Sequence, residues 1–283
     1  MKTAIIDPGG GLRGIYAVGI MDYLMDQKIT FDLGIGISAG SANMASYMSN
    51  QRGRNYIFYT QYAFRKKYMS FTNYILHRNF INLDYVYSTL SNSNGENPYD
   101  YQTLKNNPME MIVIATNALT GEAKYFTKED IEQDNYDVMK ASSCLPFICQ
   151  PYFIDGIPYY DGALSDCIPI QKALDLGCDR IVLILSRPKN EIKTVGLDGI
   201  LASKIAKKYP KAAEKFTKRS DVYNEAIALA KKLEKKGKVI IIAPSSTMKV
   251  KTLKKKRKNL IKLYQLGYQD GEKIKHFLEN SMN

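Results

Sequence analysis

Short apolar runs recur along the first two thirds of the chain, at residues 4–6, 33–37, 111–115 and 180–185, each of the length of a buried strand. Between them lie stretches with helical character, including 15–25 and 42–48. This alternation predicts a mostly parallel sheet covered by helices on both faces, a three-layer α/β/α arrangement. Thr120-Gly121, set between residues 112–118 and 123–126, predicts one antiparallel hairpin. Residues 50–97 are rich in Tyr, Asn and Ser and show no clean period; most of their aromatics (Tyr56, Phe58, Tyr59, Tyr62, Phe64, Tyr68, Phe71, Tyr74) are expected to pack in the core and against helices, the alternative for some being to line an acyl channel. After Pro188 the pattern turns helical. Val222, Tyr223, Ala226, Ile227, Ala230 and Leu233 mark one amphipathic helix, and Leu253, Leu260, Ile261, Tyr264, Tyr268 and Phe277 mark a second. Residues 239–243, apolar throughout, predict a strand joined to the core sheet, and Gly267 and Gly271, four apart, allow a close helix contact.

Three glycine-bearing motifs are set on this frame. Gly36-Ile37-Ser38-Ala39-Gly40 follows the 33–37 run and precedes a helix, the strand, turn and helix setting of a nucleophile elbow. Such a turn presents the Ser38 hydroxyl for attack on a carbonyl, and Gly36 and Gly40 remove side chains where strand and helix pass closely. Gly9-Gly10-Gly11-Leu12-Arg13-Gly14 lies about 25 residues upstream. Its backbone N–H groups, with that of Ala39, suit an oxyanion. The loop also matches a dinucleotide-binding fingerprint formally, but the acidic partner that fingerprint requires would be Asp32, which precedes the second strand instead of ending it. The third motif is Asp161-Gly162-Ala163. A serine nucleophile needs a base, the chain has only His77 and His276, and Asp161 is the carboxylate alternative; as an isolated pair, Asp-Gly is also an ordinary turn.

In this order the motifs resemble those of the patatin-like phospholipases: a G-G-G-x-R/K-G loop, a G-x-S-x-G serine and a D-G-G/A aspartate. Ala141-Ser142-Ser143-Cys144-Leu145-Pro146 resembles the family's small-residue and proline segment between serine and aspartate, so that the likeness covers roughly the first 185 residues. It implies a patatin-like catalytic core at 1–187 and a basic helical region with one strand at 188–283, packed on the core. It also implies a Ser38–Asp161 dyad without histidine, an oxyanion hole from Gly9, Gly10, Gly11 and Ala39, supporting roles for Arg13, Gly36, Gly40 and Gly162, and hydrolysis of lipid esters of the phospholipase A or lysophospholipase type. Two positions depart from the pattern. Pro8 stands where an acidic residue often precedes the glycines, with Asp7 one earlier, and Cys144 replaces a small residue, where it is expected to pack.

Composition narrows the setting. A 45% hydrophobic chain of 283 residues buries an ample core. No apolar stretch approaches the roughly 20 residues of a membrane span, and the N-terminal run is too short for a secretory signal. Four cysteines without C-x-x-C spacing read as reduced thiols, which points to the cytoplasm. No ligand cluster suggests a metal, calcium included, and no cofactor is expected. The net charge of +12 is local: residues 204–262 hold 20 Lys and Arg against 4 acids, and the remainder is slightly acidic. Lys254, Lys255, Lys256 and Lys258 are the expected contact with an anionic membrane, against a solvated helix face or, with no recognition motif to support it, nucleic acid. The alternatives to the dyad hydrolase are a Ser38, Asp161, His276 esterase, an acyltransferase or thioesterase built on the same dyad, and a non-catalytic binding protein.

Overall fold

The computed structural model describes residues 1–194, 198–253 and 256–279. Eight strands form one sheet: β1 (Thr3–Asp7), β2 (Leu33–Ile37), β3 (Glu110–Asn117), β4 (Ala123–Thr127), β5 (Tyr152–Ile154), β6 (Ile157–Asp161), β7 (Arg180–Ile184) and β8 (Val239–Ile242). The helices are α1 (Ile15–Asp26), α2 (Ala39–Met48), α3 (Arg54–Thr60), α4 (Phe71–His77), α5 (Tyr101–Asn106), α6 (Asp137–Ser142), α7 (Ile170–Asp175), α8 (Asp198–Ala206), α9 (Pro210–Glu234), α10 (Arg257–Asp270) and α11 (Glu272–Glu279).

Five strands run parallel in the order β3-β2-β1-β7-β8. Their near-continuous apolar sequences follow from burial on both faces. Alternation sends Ile5, Val113 and Val182 into one core and Ala4, Ile6, Ile35 and Leu183 into the other. Helices α1, α2 and α10 cover the first face; α7 and the later half of α9 cover the second. The fold is therefore the mixed α/β arrangement expected, with helical layers either side of a largely parallel sheet.

The topology also fixes where a site can form. The sheet grows from β1 in both directions, to β2 on one side and β7 on the other, so the loop after β1 opens onto a switch-point crevice. On the β2 side the sheet splits. Strand β2 pairs with β3 only as far as Ile114, while Ala115 and Thr116 already pair with β4 on the opposite edge. The edge that β2 vacates is taken by antiparallel β6, with Asp161 opposite Ala115. The C-terminal ends of β2 and β6 thus meet on one edge of β3, and those ends carry Ser38 and Asp161.

Two expectations need correction. The second C-terminal helix is two helices, α10 and α11, broken at Gly271, and Leu253 lies ahead of both. Phe71 and Tyr74, expected in the core, sit on α4 and are 77% and 48% exposed. The close contact allowed by Gly267 is present: a Cβ there would lie 2.0 Å from the Tyr16 carbonyl oxygen, and one on Gly19 would lie 2.1 Å from that of Tyr264. Helices α1 and α10 therefore touch through their backbones. Three hydroxyl-to-carboxylate bonds, Tyr16 to Asp270 (2.6 Å), Tyr264 to Asp22 (2.8 Å) and Tyr268 to Asp26 (2.7 Å), fasten the crossing.

Candidate active site

Ser38 ends β2 and precedes α2 with φ 56° and ψ −131°, a conformation that costs a non-glycine residue about 1–3 kcal/mol. Its neighbours hold it there. The Ser38 N–H donates to Ser142 Oγ at 2.9 Å, Ser142 Oγ donates to the Ile114 carbonyl at 2.6 Å, and Ser41 Oγ donates to the Ser38 carbonyl at 2.7 Å. Gly40 is needed because a Cβ there would lie 2.0 Å from the Asp7 carbonyl oxygen, so no side chain fits between α2 and the end of β1. Gly36 is required for the same reason near the end of β2, where a Cβ would lie 2.6 Å from the Ser41 backbone.

Asp161 closes β6 and is almost fully buried. Its N–H donates to the Cys144 carbonyl at 2.9 Å, and its Oδ1 accepts from the Ala163 N–H at 2.9 Å. Residues 142–144 therefore clip both positions, Ser38 through the Ser142 hydroxyl and Asp161 through the Cys144 carbonyl. Gly162 lets the chain turn past Ile114, whose carbonyl oxygen would lie 2.2 Å from a Cβ. Asp161 Oδ2 closes no hydrogen bond of ordinary geometry. The Ser38 hydroxyl is nevertheless near enough to favour the carboxylate, as are Lys193 and Arg219 from farther away. Burial outweighs these and raises the Asp161 pKa to about 6.

The glycine loop sits beside this pair. Gly10 has φ 132°, which effectively requires glycine. The N–H groups of Gly10, Gly11 and Ala39 close no hydrogen bond among the described residues. Gly9 differs from expectation: its N–H donates to Asp7 Oδ1 at 2.9 Å, so it shapes the loop and is not free as an oxyanion donor. Asp7, noted in the sequence only as an acid one place ahead of the family's position, has a role that the motif did not reveal. It is buried, accepts also from Asn43 Nδ2 at 2.8 Å, and Asn43 Nδ2 reaches the Gly14 carbonyl at 3.2 Å, tying the loop to α2. Its pKa is pushed up to about 6 by burial. Arg13 is buried with Nε unpartnered and one terminal nitrogen donating to Thr252 Oγ1 at 3.0 Å, so it is not the exposed ion-pair partner that a lone arginine often is.

Two cavities meet at Ser38. One, of about 60 Å3, is mostly apolar, lined by Phe58, Tyr59, Tyr68, Ile81, Val86 and Tyr87 among others, with Arg54, Asn43 and Asn55 also reaching it. The other, of about 410 Å3, holds Ser38, Asp161 and the glycine loop together with Arg13, Arg187, Glu191, Lys193 and Arg219. Four cations share that space with two carboxylates. Burial and the three neighbouring guanidiniums lower the Lys193 pKa to about 8, partly opposed by Cys167, and its ammonium lies 3.6 Å from the centre of the Tyr223 ring. Arg187 pairs with Glu191. Neither histidine belongs to either cavity: His276 lies on α11 beside Glu272 and Glu279, and His77 on α4. Among the described residues no group of three or more His, Cys, Asp or Glu is placed to hold a metal ion.

The profile of the family described as Patatin-like phospholipase matches residues 8–174, more than half of the chain. The chain belongs to that family. A second profile, a domain of unknown function (DUF6363), matches residues 209–283. Among curated proteins, the uncharacterized protein YjjU of Escherichia coli strain K12 is 28% identical over 200 residues, covering 66% of this chain and 52% of that protein, so the chain matches about half the length of this relative. Among solved structures, VipD from Legionella pneumophila aligns with a TM-score of 0.48 at 14% identity, over 99% of this chain and 67% of that one. Four residues of the larger cavity, Arg219, Ser220, Tyr223 and Thr252, come from the domain of unknown function, and Arg187, Glu191 and Lys193 from the segment ahead of it. Among the described residues no helix is long and apolar enough to cross a membrane.

Proposed function

We propose that this chain hydrolyses carboxylic esters of phosphate-bearing lipids, of the phospholipase A or lysophospholipase type, through a Ser38–Asp161 dyad. The observation that carries this is the junction of the two cavities at Ser38: an apolar slot of acyl-chain character on one side, a cation-rich chamber suited to an anionic headgroup on the other. Ser38 Oγ attacks the ester carbonyl and its proton passes to Asp161. The N–H groups of Gly10, Gly11 and Ala39 hold the oxyanion as it forms. Collapse expels the alcohol, which takes the proton from Asp161, and water then cleaves the acyl-enzyme by the same steps in reverse roles. Lys193 and Arg219 favour the ionised form of Asp161, which is the form that accepts a proton.

A fluorophosphonate tests the covalent step, because its phosphonyl oxygen takes the position of the oxyanion and gains the same donors. Stoichiometric labelling of Ser38, absent in Ser38→Ala, is expected, together with turnover of lysophosphatidylglycerol. Labelling at another residue in an active preparation would overturn the assignment of the nucleophile. Preference for acyl-thioesters over oxygen esters across a substrate panel would replace the phospholipase reading with a thioesterase.

A further inference from the structure

Residues 69–81 leave the body of the protein between the paired Met69 and Ile81 and carry α4 at their outer end. This helix buries none of its residues. Phe71, Ile75 and Leu76 are 77%, 78% and 68% exposed, and Tyr74 is about half exposed. Single exposed apolar side chains are ordinary, but four on seven residues form a patch that calls for an occupant. Its surroundings are basic. Arg65, Lys66 and Lys67 precede it and Arg78 follows it, all exposed, and no Asp or Glu occurs between Asp32 and Asp84. The nearby acids are already engaged, Glu96 with Arg65 and Asp84 with Lys140. The Arg257 guanidinium lies 4.9 Å from the centre of the Phe64 ring, which brings the start of α10, with exposed Lys256 and Lys258, to the same side. The base of the excursion is also a wall of the apolar cavity, since Tyr68, Ile81 and Leu83 line it.

We propose that α4 is an interfacial anchor, its apolar side chains entering the acyl boundary of an anionic lipid bilayer while Lys66, Lys67, Arg78, Lys256 and Lys258 contact the headgroup phosphates. An apolar face rimmed by cations is the pattern that binds such interfaces, and long basic side chains reach the phosphate level from beside a buried helix. A second copy of the chain is a poorer occupant, because a symmetric contact would bring the same cations together. The anchor extends the expectation placed on the basic C-terminal segment, of which Lys254 and Lys255 lie outside the described residues. It stands on this surface alone and is independent of the reaction assigned to Ser38.

The test uses the full chain carrying Ser38→Ala, so that no lipid is consumed, and vesicles of phosphatidylglycerol mixed with phosphatidylcholine. The triple variant Phe71→Ser, Ile75→Ser, Leu76→Ser is expected to lower the vesicle-bound fraction in sedimentation by at least about tenfold. Reversal of Lys66, Lys67 and Arg78 to Glu is expected to remove the preference for anionic over neutral vesicles, at about fivefold per charge. The chain contains no tryptophan, so Tyr74→Trp supplies a single indole that can be excited selectively over the tyrosines. Its emission is expected to shift to the blue on adding anionic vesicles and to be quenched by brominated acyl chains. This second readout decides the matter even if the triple variant fails to fold. Unchanged emission, or wild-type binding by a folded triple variant, would overturn the anchor. A dimer in sedimentation equilibrium that the triple variant dissolves would do the same, by showing that a second copy covers the patch.

Discussion

At the scale of single residues the site depends on a carboxyl kept out of water. The Asp161 pKa is raised from 3.8 to about 6, chiefly by burial. If Asp161 is the base, kcat/KM should rise with pH through about 6 and then level off, because only the ionised carboxylate accepts the Ser38 proton. A profile centred near the ordinary aspartate value would remove Asp161 from that role. The same shift predicts the sign of a stability effect. Between about pH 4 and 6 the folded chain holds a proton that the unfolded chain has lost, so stability falls as pH rises through about 6. Asp161→Asn should abolish turnover and yet make the protein more stable than wild type at pH 8, by about 1–3 kcal/mol in urea unfolding. Some pH dependence should remain, since Asp7 is shifted in the same direction. Ser38 could be picked out in the sequence from its own glycine-flanked turn, and Asp161 only through the scarcity of histidine and the order of the three motifs, because an isolated Asp-Gly is an ordinary turn. The roles of Asp7, Asn43 and Ser142 were not legible there, because their partners lie 36 and 104 positions away in the chain and only the tertiary fold supplies them.

At the scale of elements, glycines set how closely helices approach. A methyl group at Gly267 meets the Tyr16 carbonyl oxygen, which is backbone and has no room to turn aside. Gly267→Ala should therefore destabilise the protein by about 1–3 kcal/mol even though alanine favours the helix by up to about 1 kcal/mol. Gly156→Ala is the matched control: the space around it is open, but φ is 76°, so any cost comes from backbone strain alone. If urea midpoints show Gly267→Ala neutral or stabilising, α10 slides on α1 more freely than this contact implies. The four-residue spacing of Gly267 and Gly271 made the approach legible in advance. The break between α10 and α11 was not, because Gly271 keeps a right-handed helical backbone and the apolar pattern continues through Tyr268 to Phe277. For α4 the sequence misled: Phe71 and Tyr74 read as core, and only the fold reveals that both are exposed, with Phe71 meeting the Phe80 ring edge to face.

At the scale of the whole molecule the uneven charge acquires an inner role. Sequence position suggested a surface for docking, but Arg219 from the basic region points into the same cavity as Arg13 from the loop after β1 and Lys193 from the segment after β7. Arg13 stands out in sequence through its glycine motif, but Arg219 and Lys193 are unremarkable alone, and Lys193 lies outside the basic stretch altogether. Four cations around a half-open space that also holds Asp161 repel one another, and the Lys193 pKa is lowered chiefly by burial and then by that repulsion. A phosphate diester relieves it. Charge-assisted bonds of this kind contribute about 1.5–3 kcal/mol, so Lys193→Met and Arg219→Met should each lower the preference for lysophosphatidylglycerol over an uncharged monoacylglycerol by about tenfold or more in the ratio of kcat/KM values. Comparing the ratio removes any general effect on Ser38 and Asp161 that the two substrates share. Inorganic phosphate and glycerol 3-phosphate should raise the Tm of wild-type protein more than that of either variant, with the glycerol ester ahead if the chamber fits a headgroup and not a bare ion. Equal losses on both substrates, with no change in phosphate stabilisation, would show that these side chains support the Asp161 carboxylate and do not help to choose the lipid.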